Sequence, residues 1–475
     1  MKNYKISIII AFLLLLTGSC KKFVSGYDKD PNRFTATIAN QQMLGVLLEN
    51  QFAMKADGLR IAMIWMNQAT GTNNQYVYIN NWNNVGNDDF NNPWEEIYTT
   101  LGQAVLLEDL ATEMNNTQLK GLAKLYRAWS GGMAASLWGD VPFSQAGQYE
   151  SYPDPVYDRQ QEVFNQVQTL LDSAINDLSD NGSFGGIFPE KDIYFGGNGL
   201  KWIKIAHGLK ARFYLHTGNW QNAFTEAQLG PASSSDDLIA QYGDPNKDPE
   251  GKWNPFVQFE SARAGYMTAT NSFSKDLLNG NRNNSKTEEI YRSKFNYYYF
   301  NLNMSISNDE SAHGKFYKNM SLLTYGEMLL IQTEAKARMA RNITDALPIY
   351  NTYRALLRTG YDTGGYENSA NIKYDDYEAA DFAAGGIENA DNKTELQAFL
   401  REILEERYVY FIGDYEAFVD FARVHNDSDV PEYMELKSGI SGAPLRFPYA
   451  QNEIDSNDNM PSTIPAVTDH LPGYN

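Results

Sequence analysis

The chain has 475 residues, 43% of them hydrophobic and 21% charged, with 24 Phe, 31 Tyr and 8 Trp. A chain of this composition can bury one large core or two, so disorder over most of its length is excluded. Its formal charge of −20 repels phosphate backbones and makes nucleic acid a poor partner, and its single Cys excludes an internal disulfide.

The first element is a short apolar segment at the N-terminus. Lys2 and Lys5 form a positive head, and residues 6–16 follow as a nearly uninterrupted apolar run. Such a run is too short to span a bilayer and is typical of a secretory signal peptide. The sequence therefore predicts a signal peptide over residues 1–19.

The only cysteine stands where this signal peptide would be cut. Small residues occupy positions 17–19 and Cys20 follows, so that residues 16–20 resemble a lipobox, although Thr17 replaces the commoner branched aliphatic residue. We predict that Cys20 is acylated and that residues 20–33 form a tether. Two or more acyl chains hold a protein firmly on a membrane, where one does not. The alternative is an ordinary signal peptide followed by an incidental cysteine.

Helical spacing dominates the chain after the tether. Apolar residues recur at intervals of three and four over residues 94–138, interrupted by a turn at Asn115 and Asn116, and again over residues 160–178. This pattern predicts a helical hairpin and then a third helix.

A more specific helix pair follows. An apolar stripe from Trp202 to Tyr214 stops at Gly218, which can adopt the left-handed conformation that ends a helix. The next helix contains the small residues Ala223 and Ala227, which allow paired helices to pack closely. The arrangement looks like a degenerate tetratricopeptide repeat.

The same arrangement is predicted twice more, over residues 322–357 and over residues 396–424. Carboxylates and arginines in the last pair, among them Glu405, Glu406, Arg407 and Asp420, are expected to form ion pairs within it. Long polar insertions separate the helical units, at residues 71–93, 179–199, 230–255, 280–314 and 360–386. Without a clean linker, we predict one all-α domain over residues 34–475, a tetratricopeptide-like helical scaffold with long irregular insertions.

Several strings, in order along the chain, resemble those of the SusD/RagB-like outer-membrane lipoproteins, specifically the SusD-like type 2 branch. They are LWGDVPF (137–143), PVYD (155–158), HTG (216–218), YGEMLL (325–330), EAKAR (334–338), EERY (405–408) and RFPY (446–449). The resemblance implies a helical scaffold attached by lipid to the outer membrane and exposed at the cell surface. It also implies binding of a glycan or another nutrient, delivery to a SusC-like TonB-dependent transporter, and no catalysis.

Candidate ligand contacts follow from local chemistry, since sugars bind flat aromatic rings that stand beside amides and carboxylates. Two insertions combine these groups, and the candidates are Tyr76, Tyr78, Trp82, Asn84 and Asp88 in the first and Arg282, Tyr297 and Tyr299 in the second. For Trp82 the alternative is a place in the core. For the aromatic run of the second insertion the alternative is a half-buried strand.

Other chemistry finds little support in the sequence. Neighbouring acids on a helix point about a hundred degrees apart, so pairs such as Glu405 and Glu406 do not flank one substrate bond, although distant acids could still combine in a hydrolase. The five histidines lack zinc spacing. A calcium loop beginning at Asp244 has Pro249 where Gly is required, which leaves only a looser calcium site open. We predict no metal and no cofactor. A lipid-anchored scaffold for protein partners remains the alternative function.

Overall fold

The computed structural model describes residues 39–180, 191–242, 254–263, 265–297, 319–361 and 372–473. The predicted signal peptide, Cys20, the tether and Asp244 lie outside these residues. The longer helices are α1 (Ala39–Lys55), α2 (Asp57–Trp65), α4 (Asn91–Glu113), α5 (Thr117–Trp138), α6 (Gln160–Leu178), α7 (Gly199–His216), α8 (Trp220–Leu229), α9 (Pro255–Ala262), α11 (Ile290–Tyr297), α12 (Tyr325–Ala340), α13 (Leu347–Leu357), α15 (Glu395–Tyr410) and α16 (Glu416–Val424).

Short helices, turns and strands connect the longer helices. The short helices are α3 (Gln75–Ile79), α10 (Phe273–Asp276), α14 (Ala379–Phe382) and α17 (Gln451–Ser456), with 3-10 turns at Asn87–Phe90 and Ser234–Asp236 and a π turn at Leu277–Asn281. The strands are β1 (Thr70–Gly71), β2 (Val141–Pro142), β3 (Tyr157–Asp158), β4 (Leu238–Ala240), β5 (Met267–Thr268), β6 (Thr287–Glu288), β7 (Met320–Leu323) and β8 (Lys373–Tyr374). They pair as antiparallel β1–β5, β2–β3, β4–β7 and β6–β8. The predicted all-α fold is confirmed.

The predicted hairpin at 94–138 corresponds to α4 and α5. Asn115 takes the left-handed conformation (φ 53°), and the Asn116 side chain accepts a hydrogen bond from Leu119 N at 3.0 Å, which caps α5. A Cβ atom on Gly132 in α5 would lie 2.3 Å from the ring of Phe213 in α7. The absence of a side chain there lets α5 and α7 approach closely.

Helices α7 and α8 form the predicted tetratricopeptide-like pair. Gly218 ends α7 with φ 68°, and the Asn219 side chain caps α8. Ala223 and Ala227 are buried, where α8 packs against α7 and α12. The pair α12 and α13 repeats the arrangement, but Leu322, which was expected in the helix, lies in β7, because Thr324 caps α12 two residues later.

The C-terminal segment, residues 425–473, packs part of its chain into the core. Phe447 lies with its ring centroid 5.5 Å from that of Trp65 and 5.0 Å from that of Phe90. Its backbone N donates to Leu137 O at 2.8 Å, and Trp138 Nε1 donates to Pro448 O at 2.8 Å. The segment therefore joins α2, α5 and the first insertion, which it also positions.

Candidate functional site

The first insertion folds onto the C-terminal segment. Trp82 Nε1 and Asn83 Nδ2 both donate to the backbone carbonyl of Ser441, at 3.2 and 3.0 Å. Asn87 Nδ2 donates to Tyr449 O at 2.7 Å. These bonds fix the insertion as a defined surface of the scaffold.

Two of the predicted ring contacts face inward. Trp82 is 1% exposed and Tyr76 is 2% exposed. The Tyr76 hydroxyl accepts a hydrogen bond from Arg60 Nε at 2.9 Å and donates to Asp57 Oδ1 at 3.2 Å, and burial raises its pKa. The expectation that these rings are open to a sugar is wrong, because both rings are buried. Their polar atoms form hydrogen bonds with groups inside the fold.

Three other candidates in this insertion remain at the surface. Tyr78 is 39% exposed, and Asn84 and Asp88 are also exposed. The Tyr78 hydroxyl donates to Asp89 Oδ1 at 2.6 Å. Partial burial and the carboxylates of Asp89 and Asp88 raise the pKa of Tyr78 to about 12. We call Tyr78, Asp88 and Asp89 the Tyr78 surface, where a ring in a fixed orientation lies beside carboxylate acceptors.

The candidate residues of the second insertion have a different outcome. Arg282 is 4% exposed, and its guanidinium donates to Glu289 at 2.9 Å, to Glu402 at 3.0 Å, to Glu405 at 2.7 Å and to Glu406. Since these carboxylates occupy its donors, the prediction that Arg282 binds ligand hydroxyls is wrong.

The aromatic run of the second insertion is only partly described. Tyr297 ends α11, but its side chain and the whole of Tyr299 lie outside the described residues. The alternative of a strand is wrong for the described part of the run, because residues up to 297 are helical. The ligand contacts predicted for Tyr297 and Tyr299 therefore stay predictions.

Arg282 forms part of the wall of an acidic cleft of about 460 Å³. Its second cation, Arg401, forms a bidentate pair with Asp391 at 2.9 and 3.0 Å. Burial raises the pKa of Glu402 in its wall to about 8. Both arginines of the cleft therefore already have carboxylate partners within its lining. Its lining is Phe273, Leu277, Asn281, Arg282, Ile387, Glu388, Ala390, Asp391, Ala398, Arg401, Glu402, Glu405, Glu432, Tyr433, Met434 and Glu435.

A serine, a histidine and a glutamate meet in the core with the connectivity of a hydrolase triad. Ser136 Oγ lies 2.9 Å from His216 Nδ1, and His216 Nε2 lies 2.8 Å from Glu416 Oε2. Ser136 Oγ also lies 2.8 Å from Gly132 O, so its single proton has two competing acceptors. The serine and glutamate are 0% exposed and the histidine 1%, which closes this group to any substrate.

The same group shows strong electrostatic coupling. Burial acts to raise the pKa of Glu416, but His216 and then Arg212 lower it to about 2. Arg212 in turn donates to both carboxylate oxygens of Glu327 at 2.7 Å. These contacts join α7, α12 and α16 in the interior. A structural role therefore accounts for the arrangement of Ser136, His216 and Glu416.

Two exposed aromatic rings were not singled out from the sequence. Tyr149 is 62% exposed and Tyr152 is 40% exposed, both in the loop between β2 and β3. The signal that could have found them is a pair of tyrosines among turn-forming residues, without helical or strand periodicity on either side.

The described residues contain neither a membrane-spanning helix nor a cluster of metal ligands. None of the helices in these stretches is both long and apolar enough to cross a bilayer. No group of three or more His, Cys, Asp or Glu side chains there could hold a metal ion.

A family model, SusD-like_2, described as "Starch-binding associating with outer membrane", matches residues 31–450. A SusD/RagB family protein from Bacteroides thetaiotaomicron is similar in structure, with a TM-score of 0.64 and 21% identity over 89% of this chain and 95% of the other. A chitin-binding protein has a TM-score of 0.62 and 18% identity over 87% and 94%. None of the curated proteins compared with the chain matches it.

Proposed function

The chain belongs to the SusD-like_2 family, whose members are described as starch-binding and associated with the outer membrane, and from this membership we propose that it captures a glycan or another nutrient at the cell surface. It passes the bound molecule, without chemical change, to a SusC-like TonB-dependent transporter. Capture is the task of loops carried by the helical scaffold, which hold their rings and acceptors in fixed positions.

The Tyr78 surface is the observation that carries this proposal. The hydrogen bond from Tyr78 to Asp89 fixes the hydroxyl end of an exposed ring, and Asp88 beside it is open to solvent. A pyranose has apolar faces that pack on such a ring and hydroxyls that donate to carboxylates. Asn84, exposed on the same insertion, adds an amide that can bond a further hydroxyl.

Attachment to the membrane is assigned to Cys20. Acylation of this residue after removal of residues 1–19 leaves residues 20–33 as a tether that holds the helical domain, residues 34–475, on the outer face of the outer membrane. Cells supplied with labelled palmitate are expected to label the native chain and not a Cys20→Ser variant. Equal labelling of the two, or release of the native chain from washed membranes, would contradict the anchor.

A Tyr78→Ala variant tests the capture site. In a form lacking residues 1–20, this change is expected to weaken glycan binding by roughly 1–3 kcal/mol, because one stacked ring contact is lost. Maltotriose and chitotriose are suitable probes, the second because one structural neighbour is named a chitin-binding protein. Calorimetry with each sugar measures the change.

The control for this experiment keeps the ring. Tyr78→Phe loses only the bond to Asp89 and is expected to bind nearly as well as the native chain. If Tyr78→Ala binds both sugars with native affinity, the Tyr78 surface is not the capture site. Release of shorter products would instead favour a glycan hydrolase. Failure to bind any glycan or peptide, together with tight association to a transporter barrel, would favour a pure protein scaffold.

A further inference from the structure

The loop between β2 and β3 presents two open tyrosine rings on a rigid support. Ser144 N and Phe143 N donate to Asp158 Oδ2 at 2.7 and 3.0 Å, and Gln148 Nε2 donates to Ser144 O at 3.1 Å. From the C-terminal side, Asn459 Nδ2 donates to Asp154 O at 2.7 Å. The loop is therefore fixed at both ends, which reduces the entropy that a ligand must remove on binding.

Helix α4 supports one of these rings directly. A Cβ atom added to Gly102 would lie 2.6 Å from Tyr149 Oη and 3.4 Å from the ring atoms Cε2 and Cζ. The Tyr149 ring thus lies across the helix where it lacks a side chain. One turn earlier, Tyr98 stacks on Trp94 with ring centroids 4.5 Å apart. Trp94 is 6% exposed and belongs to the core, so Tyr149 is the more open ring beside α4.

The immediate neighbours of the two rings are polar. Glu150 and Ser151, which separate Tyr149 from Tyr152, are exposed. Two partly exposed tyrosines supply far less area than the roughly 800 Å² per partner that a stable protein interface buries. Their size and polar surroundings instead fit one or two sugar rings, with Glu150 and Ser151 available to bond hydroxyls.

We propose that Tyr149 and Tyr152 form a second glycan-binding platform, which engages longer glycans together with the Tyr78 surface. Asp89 of the Tyr78 surface lies two residues before the start of α4, and Gly102 lies eleven residues beyond that start, so the start of α4 and Gly102 are separated by roughly 16 Å along the helix. A polymer that reaches both places gains affinity by avidity, and a trisaccharide does not. This inference rests on the proposed function.

The test compares a polymer with a short sugar. Tyr149→Ala is expected to weaken retention on amylose or chitin by roughly tenfold or more, because avidity is lost, while the affinity of the Tyr78 surface for maltotriose or chitotriose stays unchanged. Gly102→Ala is expected to weaken retention less than Tyr149→Ala, since the exposed ring can shift away from the new methyl group and alanine is favourable in a helix. Tyr149→Phe keeps the ring and is expected to retain polymer as the native chain does.

Leu200→Ala provides the matched control. Leu200 is also 62% exposed but lies at the start of α7, and its replacement is expected to leave retention of the polymer unchanged. Native retention by Tyr149→Ala would overturn the platform while leaving the proposed function intact. Loss of transporter association with unchanged glycan retention would reassign the rings to a protein contact. If the native chain retains no glycan, both proposals fail.

Discussion

A Trp82→Ala variant is expected to lose roughly 3–5 kcal/mol of unfolding free energy, the usual cost of removing a buried aromatic side chain. Trp82 is 1% exposed, and its Nε1 donates to Ser441 O, so the indole joins the first insertion to the C-terminal segment. The loss is measured as a lower urea midpoint. At temperatures where the variant is folded, its affinity for maltotriose is expected to fall less than that of Tyr78→Ala, because the indole presents no open face to a ligand and acts only by holding the insertion in place.

Two variants separate stability from binding at this place. Trp82→Phe retains much of the volume and is expected to lose less stability than Trp82→Ala. Tyr78→Ala is expected to show the opposite profile, with weaker binding and a nearly native urea midpoint, since its ring is 39% exposed. A Trp82→Ala variant with native stability and lost sugar binding would return Trp82 to the capture site.

The position of Trp82 shows why local chemistry misplaced it. Its sequence neighbours are asparagines, and Asn83 and Asn84 do lie at the surface. The carbonyl that receives its Nε1 belongs to Ser441, which is distant in the chain, and no local pattern indicates that approach. Arg282 was misplaced for the same reason, because Glu402, Glu405 and Glu406 reach it from α15.

The helices were predicted more closely than the site because their determinants are local. The 3.6-residue period, the cap at Asn116 and the left-handed Gly218 are all contained in a few consecutive residues, and α5, α6 and α7 end within two residues of the predicted ends. The packing of the Tyr149 ring has no such local determinant. The Tyr149 ring packs where glycine at position 102 of helix α4 leaves space, and this contact joins two distant parts of the chain.

Buried ion pairs between distant segments join the predicted helix pairs to one another. The interior group that we call the Glu334 cluster contains three acids and three arginines, namely Glu334, Arg338, Arg407, Asp420, Arg423 and Asp427. Arg407 pairs with Asp420 at 2.7 Å, as expected for the last helix pair, whereas Glu405 and Glu406 pair with Arg282 outside it, so the expectation is wrong for these two glutamates. Glu334 extends the network to α12. A balanced cluster of this kind tolerates burial only while every charge keeps its partner.

Replacing Glu334 by glutamine is therefore expected to lower the free energy of unfolding at neutral pH by roughly 3–5 kcal/mol, because an uncompensated arginine is left in the interior. Glu334 is 0% exposed. Its two oxygens accept from Arg423 at 2.8 and 2.7 Å, and Arg338 Nε donates to the first of them at 2.8 Å. The amide keeps the shape of the side chain, so the expected loss reports charge and not a cavity. The urea midpoint again measures it.

The pH dependence of this loss follows from the pKa of the carboxyl. Burial acts to raise the pKa of Glu334, but Arg423 and Arg338 hold it far below its ordinary value of 4.5. The stabilisation is therefore complete above about pH 4.5 and decreases as the pH falls toward the lowered pKa. The difference between native and Glu334→Gln midpoints is expected to shrink from pH 6 to pH 3. Asp429→Asn, in the exposed pair with Arg341, is expected to change little at any pH. A constant difference for Glu334→Gln would show that the glutamate carries no net ionic stabilisation.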